Sequence, residues 1–121
     1  MGNLAELKEL YLIGCQKLER LPAEFTGLKK LHLLILGQCL MVKNNPEDIE
    51  YCRSLGELRL IRLSNIHPIV ASAAHLSRLA CLHIEECDNF KWFPSSFRSL
   101  TRLKEIKFIK CKDIRNFTST I

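Results

Sequence analysis

Apolar residues return along this chain at a fixed step of 24 positions. Leu7, Leu31, Leu55, Leu79 and Leu103 mark the step. Three residues further on stand Leu10, Leu34, Leu58, Leu82 and Ile106, and two beyond those come Leu12, Leu36, Leu60, Ile84 and Phe108. A fourth column holds Leu4, Leu28, Cys52, Leu76 and Leu100; a fifth holds Leu18, Val42, Ile66, Phe90 and Ile114. Every position in these columns is apolar, although hydrophobic residues make up only 47% of the chain. No insertion or deletion interrupts the register, so the repeat is the organising feature of the sequence.

The spacing within one unit predicts its structure. Leu10-x-Leu12 has the period-two alternation of a short strand with both leucines on one face. The three-residue spacings on either side belong to a turning chain. One such unit cannot bury its apolar face by itself. Stacking neighbours about 4.8 Å apart turns the strands into a parallel sheet and the leucine columns into a continuous core. The expected product is a short curved solenoid with strands lining the concave side, built from five units at about 4–27, 28–51, 52–75, 76–99 and 100–121.

The second half of each unit is less regular. It reads Leu21-Pro22-x-x-Phe25 in the first copy and Phe93-Pro94-x-x-Phe97 in the fourth. Proline has no amide hydrogen to donate and favours a turn or the opening of a short helix. The third copy departs most, with Ile69-Val70 followed by Ala71-Ser72-Ala73-Ala74. A helical turn is expected there.

The run Leu4-x-x-Leu7-x-x-Leu10-x-Leu12-x-x-Cys15-x-x-Leu18-x-x-Leu21-Pro22-x-x-Phe25 resembles the leucine-rich repeats of plant intracellular disease-resistance (nucleotide-binding leucine-rich-repeat) receptors. Cys-x-x-Leu, where many leucine-rich repeats carry Asn, and the Leu-Pro that follows are the specific features. The resemblance implies an α/β repeat fold, a short right-handed superhelix with a parallel β-sheet on the concave face and irregular or short-helix turns on the convex side. It also implies a role in recognising pathogen effectors and restraining a nucleotide-binding switch. The switch itself is not in this sequence, because nothing matches the phosphate-cradling Gly-x-x-x-x-Gly-Lys-Ser/Thr loop.

Composition narrows the picture. With 121 residues, 26% of them charged, the chain suits one ordinary folded domain. The net charge of +5 is scattered rather than gathered into a basic tail. The first residues, Met1-Gly2-Asn3-Leu4-Ala5-Glu6, have neither the apolar core of a secretory signal nor Ser or Thr where a myristoylation motif wants one. No apolar run nears the roughly 18 residues that span a bilayer. A cytoplasmic protein without membrane contact is therefore expected, and the glycosylation-type sequence Asn116-Phe117-Thr118 has no use there.

Six cysteines invite a disulfide or zinc reading. Cys15, Cys39, Cys87 and Cys111 share one grid column with Leu63, the column that turns inward after the strand. Small buried thiols with a weak hydrogen-bond donor account for all four, and Cys52 lies in a leucine column. Cys81 differs, since Cys81, His83 and Glu85 alternate along one strand and project to one face. Three residues on a single strand rarely converge on one ion without a ligand from elsewhere, so no metal is expected. Neither a convergent catalytic set nor a cofactor motif is found, and the chain reads as no enzyme and as having no cofactor.

The concave face remains as the candidate site. Its columns are Glu9, Leu33, Glu57, Cys81 and Glu105; Tyr11, Ile35, Arg59, His83 and Lys107; and Ile13, Gly37, Ile61, Glu85 and Ile109. Flanking positions add Lys8, His32 and Lys104 on one side and Gln38, Arg62, Glu86 and Lys110 on the other. Charges of both signs are near balance, and Tyr11 is the only aromatic, which argues against a nucleic-acid groove. Exposed Ile13, Leu33, Ile35, Ile61 and Ile109 among mixed charges suit a protein partner, with Tyr11, Ile35 and Arg59 as the expected anchors.

Neither end carries the polar capping unit that closes a solenoid, so a piece of a longer array is expected. Were the chain to stand by itself, self-association through an uncapped end would follow. Two other readings share the repeat. One is a free leucine-rich-repeat scaffold in small-GTPase or phosphatase signalling, and the other is the substrate-recruiting part of a ubiquitin ligase.

Overall fold

Each of the five period-two segments is a strand. In the computed structural model, which describes residues 4–88, 90 and 94–111, they are β1 (Glu9–Ile13), β2 (Leu33–Gly37), β3 (Glu57–Ile61), β4 (Cys81–Glu85) and β5 (Glu105–Ile109). Phe93, Ile114, the Asn116-Phe117-Thr118 sequence and the close of the fifth unit lie outside the described residues. The strands form one sheet in the order β1-β2-β3-β4-β5, every pair parallel. Each residue pairs with the one 24 positions on, as in Leu10↔Leu34, Leu34↔Leu58, Leu58↔Leu82 and Leu82↔Ile106.

Backbone amides extend the same step beyond the strands. The amides of His32, Gly56, Ala80 and Lys104 donate to the carbonyls of Lys8, His32, Gly56 and Ala80 at 2.8 to 3.0 Å. The period seen in side chains is thus also a period in hydrogen bonds, as parallel stacking demands.

Alternation sends one leucine column after another to a single side. Leu34, Leu36, Leu58, Leu60, Leu82 and Ile84 are completely buried there, as are Leu31, Leu55 and Leu79 before the strands. Burying such a side chain contributes about 1.5–3 kcal/mol. Val42, Ile66 and Phe90 close the core behind the strands. In the edge strands the equivalent positions are only half-buried: Leu10 and Leu12 in β1, Ile106 and Phe108 in β5.

The chain returns through short helical pieces on the inward side. Pro22 and Pro94 immediately precede the 3-10 turns Ala23–Gly27 and Ser95–Ser99. The Ala-rich third unit forms α2 (His67–Ala73), which buries Ile69, Val70 and Ala73. The second unit carries a feature its pattern does not announce, α1 (Met41–Asn44) followed by the 3-10 turn Pro46–Tyr51. Here Asp48, with no accessible surface, accepts hydrogen bonds from the Leu21 amide at 2.9 Å and the Arg20 guanidinium at 3.1 Å. Asn45 Nδ2 donates to the Glu19 carbonyl at 2.8 Å, so two side chains bind the first unit's turn to the second's. The whole is an α/β repeat-like fold.

A second periodic device ends the strands. Gly14, Gln38, Arg62, Glu86 and Lys110, spaced 24 apart, all have left-handed backbone conformations with φ between 49° and 76°. Only Gly14 adopts this region without steric cost. The other four keep it because the turn directs the next position inward, and in three of the five copies the turning amide bonds across to the neighbouring strand: Gly14 to Gly37, Arg62 to Glu85 and Glu86 to Ile109, at 2.8 to 2.9 Å.

Candidate functional site

The outward face of the sheet is built from alternate strand residues, because a two-residue period that buries Leu34 and Leu36 must turn Leu33, Ile35 and Gly37 the other way. Register then arranges three rows across five strands: Glu9-Leu33-Glu57-Cys81-Glu105, Tyr11-Ile35-Arg59-His83-Lys107 and Ile13-Gly37-Ile61-Glu85-Ile109. The short helices lie on the opposite side of the core, leaving this face unobstructed by them.

The β1–β2 side of the face is largely apolar, and a further apolar residue stands at the β5 edge. Tyr11 and Ile13 on β1 are 55% and 52% exposed, and Ile109 at the far edge is 36% exposed. Leu33 and Ile35, expected among the exposed residues, retain only 8% and 5% of their surface. Their strand lies between two others only one strand spacing away, and Glu9, Tyr11, Glu57 and Arg59 stand beside them in register. Ile35 therefore forms a floor rather than a protruding anchor, and Ile61 is half-buried. Gly37 completes this floor: a Cβ there would meet the Ile61 carbonyl at 3.2 Å and Ile13 Cγ2 at 3.4 Å.

The other half is polar and internally paired. Arg59 Nε donates to Glu57 Oε2 at 2.6 Å. His83 lies with Nε2 3.1 Å from Glu105 Oε1 and Nδ1 3.9 Å from Glu57 Oε2, and Lys107 Nζ is 3.8 Å from the second Glu105 oxygen. A polar row thus runs Arg59, Glu57, His83, Glu105, Lys107, with the His83 ring between two carboxylates. Glu85, on the same face, is half-buried. At the strand exits Arg62 and Glu86 form a further ion pair.

These contacts shift acidities in predictable directions. The Tyr11 hydroxyl donates to Glu9 at 3.1 Å, and that bond, reinforced by the Glu9 charge, raises the phenol above its ordinary value. The hydrogen bond to Glu57 raises Arg59, and the one to Arg62 lowers Glu86. Burial raises the Cys81 thiol, with Glu105 and Glu57 adding to the effect.

The post-strand column runs beside this face. Cys39, Leu63 and Cys87 are buried, while Cys15 and Cys111 are half-buried. The Cys87 thiol lies 3.5 Å from the Leu60 carbonyl and 3.3 Å from that of Glu85, and accepts from the Leu63 amide at 3.4 Å. Cys111 repeats the arrangement with the carbonyls of Ile84 and Ile109 at 3.2 and 3.4 Å. Burial pushes the thiols of Cys87 and Cys52 up to about 11.

This chain is similar to a plant disease resistance protein. It is 31% identical over 110 residues to disease resistance protein RML1A of Arabidopsis thaliana. The match takes in 90% of this chain, which spans about a tenth (10%) of the length of that relative. No family model matches the chain. No solved structure matches it either. Among the described residues no helix is long and apolar enough to cross a membrane.

Two features escape a reading along single strands. Glu105, not Glu85, joins Cys81 and His83, with the ligand-type atoms of all three within 4.8 Å of one another. The signal was in the grid, since Glu105 is the position one step from Cys81. Asp48, by contrast, carries no sequence signal that separates it from a solvated turn residue.

Proposed function

We propose that this chain is a leucine-rich-repeat solenoid of five 24-residue units whose concave sheet face recognises a protein partner, as part of the ligand-sensing region of a plant-type intracellular immune receptor in defense response. The observation that carries this reading is the face itself. Exposed Tyr11 and Ile13 beside the Leu33–Ile35 floor adjoin a row of charges already paired within the chain. Apolar anchors at one end and oriented polar groups at the other form the division of labour found in protein-binding surfaces. Charges of both signs on it disfavour nucleic acid, whose phosphates call for a basic surface.

The similarity to a disease resistance protein sets this reading above the signalling-scaffold and ubiquitin-ligase alternatives. Binding rather than catalysis is the assigned role, and the cytoplasm the assigned compartment. The half-buried inward residues of β1 and β5 are the surfaces through which further repeats, or a second chain, would continue the stack.

Comparative affinity purification from plant extract tests the assignment. The triple variant Tyr11→Ala, Ile13→Ala, Arg59→Ala is compared with wild type and with Thr26→Ala, Ala71→Ser on the helical side. A partner at least tenfold depleted by the first variant and retained by the second is the expected result. Equal recovery with all three proteins would refute the role given to this face.

A further inference from the structure

The polar half of the sheet face has a composition that protein recognition does not require. In the row across β3, β4 and β5, Cys81 stands between Glu57 and Glu105, and His83 lies two residues along β4. A thiol, an imidazole and a carboxylate offer donor atoms within 4.8 Å of one another. They come from two adjacent strands, so the parallel pairing fixes the separation of their backbones.

We propose that Cys81 Sγ, His83 Nε2 and Glu105 Oε1 form a binding site for a single thiolate-accepting divalent ion, zinc foremost. Sulfur, nitrogen and carboxylate oxygen are the three ligand types zinc takes, and three protein ligands leave a fourth tetrahedral position for water or a partner's side chain. Ligands around tetrahedral zinc stand about 3.5 Å apart, given bonds of about 2.0–2.3 Å. His83 Nε2 and Glu105 Oε1 are already 3.1 Å apart. Glu105 is 42% exposed along its side chain, so a change of rotamer at the surface can bring its carboxylate to the ion. On binding, the Cys81 S–H bond breaks, its proton passes to solvent and the sulfur lone pair forms the metal–sulfur bond.

The surroundings fit a metal ligand set in a second respect. A ligating histidine typically donates its other ring N–H to a carboxylate, which fixes the tautomer and strengthens the ligand. Glu57 lies on that side of the ring, 3.9 Å from His83 Nδ1, within electrostatic reach but longer than a hydrogen bond, and is itself held by Arg59 at 2.6 Å. Only 14% of the His83 side chain is exposed, so the ring is restrained before the ion arrives. Lys107 lies beside the second Glu105 oxygen and limits the negative charge that would otherwise accumulate. Among the described residues this is the one such group of three or more ligand-type side chains. The site stands on geometry independent of the protein-recognition reading, and its fourth position opens on the same face.

Cobalt(II) titration of the fully reduced chain under anaerobic conditions tests the proposal. Saturation at one equivalent is expected, with a thiolate-to-cobalt charge-transfer band and the intense visible bands of a four-coordinate ion; zinc should abolish both. Cys81→Ser should remove the charge-transfer band, and Glu105→Gln should weaken zinc competition at least tenfold. Glu85→Gln and Cys111→Ser, on the same face and in the neighbouring cysteine column, should leave the titration unchanged. Circular dichroism establishes that each variant is folded. Absence of a one-equivalent endpoint, a charge-transfer band that survives Cys81→Ser, or unchanged zinc competition in Glu105→Gln would each overturn the assignment.

Discussion

Asp48→Ala isolates the joint between the first two units. The carboxylate is fully buried and its two oxygens are divided between the Leu21 amide at 2.9 Å and Arg20 at 3.1 Å. Leu21 is itself buried, with 5% of its surface exposed, so removing the acceptor leaves an amide that water does not reach freely. Such an orphaned donor costs about 1–3 kcal/mol, toward the upper part of that range when the lost acceptor is charged. Arg20 contributes less, because its side chain is 59% exposed and solvent screens the ion pair. The expected loss exceeds that of Arg20→Ala and is about 2–3 kcal/mol. For a chain of this length that is a fall of about 8–12 °C in melting temperature. Urea unfolding followed by circular dichroism measures both variants. If Arg20→Ala cost as much as Asp48→Ala, the ion pair and not the backbone contact would hold the joint. If Asp48→Ala cost less than about 0.5 kcal/mol, the joint would not depend on this residue.

Other expectations follow from the same structure. Leu58→Ala in the central strand, where the side chain is completely buried, should cost about 2–5 kcal/mol in urea unfolding, and Leu10→Ala at the half-buried edge clearly less. Gln38→Gly should stabilise by up to about 1 kcal/mol by relieving a left-handed residue, whereas Gly14→Val should destabilise by about 1–2 kcal/mol; reversed signs in thermal melts would contradict the strand-exit geometry. Cys52 and Cys87 have folded-state acidities raised to about 11 from an ordinary 9.0, so their contribution is complete below pH 9 and lost as pH rises towards 11. By pH 10 each thiol should have lost about 1 kcal/mol, and Cys52→Ala should flatten the alkaline fall in the urea midpoint.

The strands were legible in the sequence because three physical demands coincide on one period. Alternation within Leu10-x-Leu12, burial of the inward leucines and parallel pairing all require the same step, and one mismatch would have exposed a whole column. The prolines before the 3-10 turns were legible for the same local reason, a missing amide hydrogen. Burial on the outward face was not. Leu33 and Ile35 occupy the same grid columns as exposed Glu9 and Tyr11, and their cover comes from the strands on both sides, which the edge strand β1 lacks, together with the long side chains those neighbours carry. The left-handed strand exits were hidden as well, since Gln38, Arg62, Glu86 and Lys110 carry no mark of the conformation that Gly14 alone suggests. Glu105 and Cys81 are 24 residues apart and meet only across strands, where a reading confined to one strand does not look.

The central claim is that a protein partner docks on the outward face of this sheet. Site-specific photo-crosslinking reads that contact most directly, with a benzophenone side chain placed at Tyr11 or Lys107 on the face, or at Thr26 or Ala71 on the helical side. In plant extract, the first two positions should each crosslink to one common protein and the last two should not. Crosslinks to that protein from Thr26 or Ala71, with none from Tyr11 or Lys107, would contradict the account.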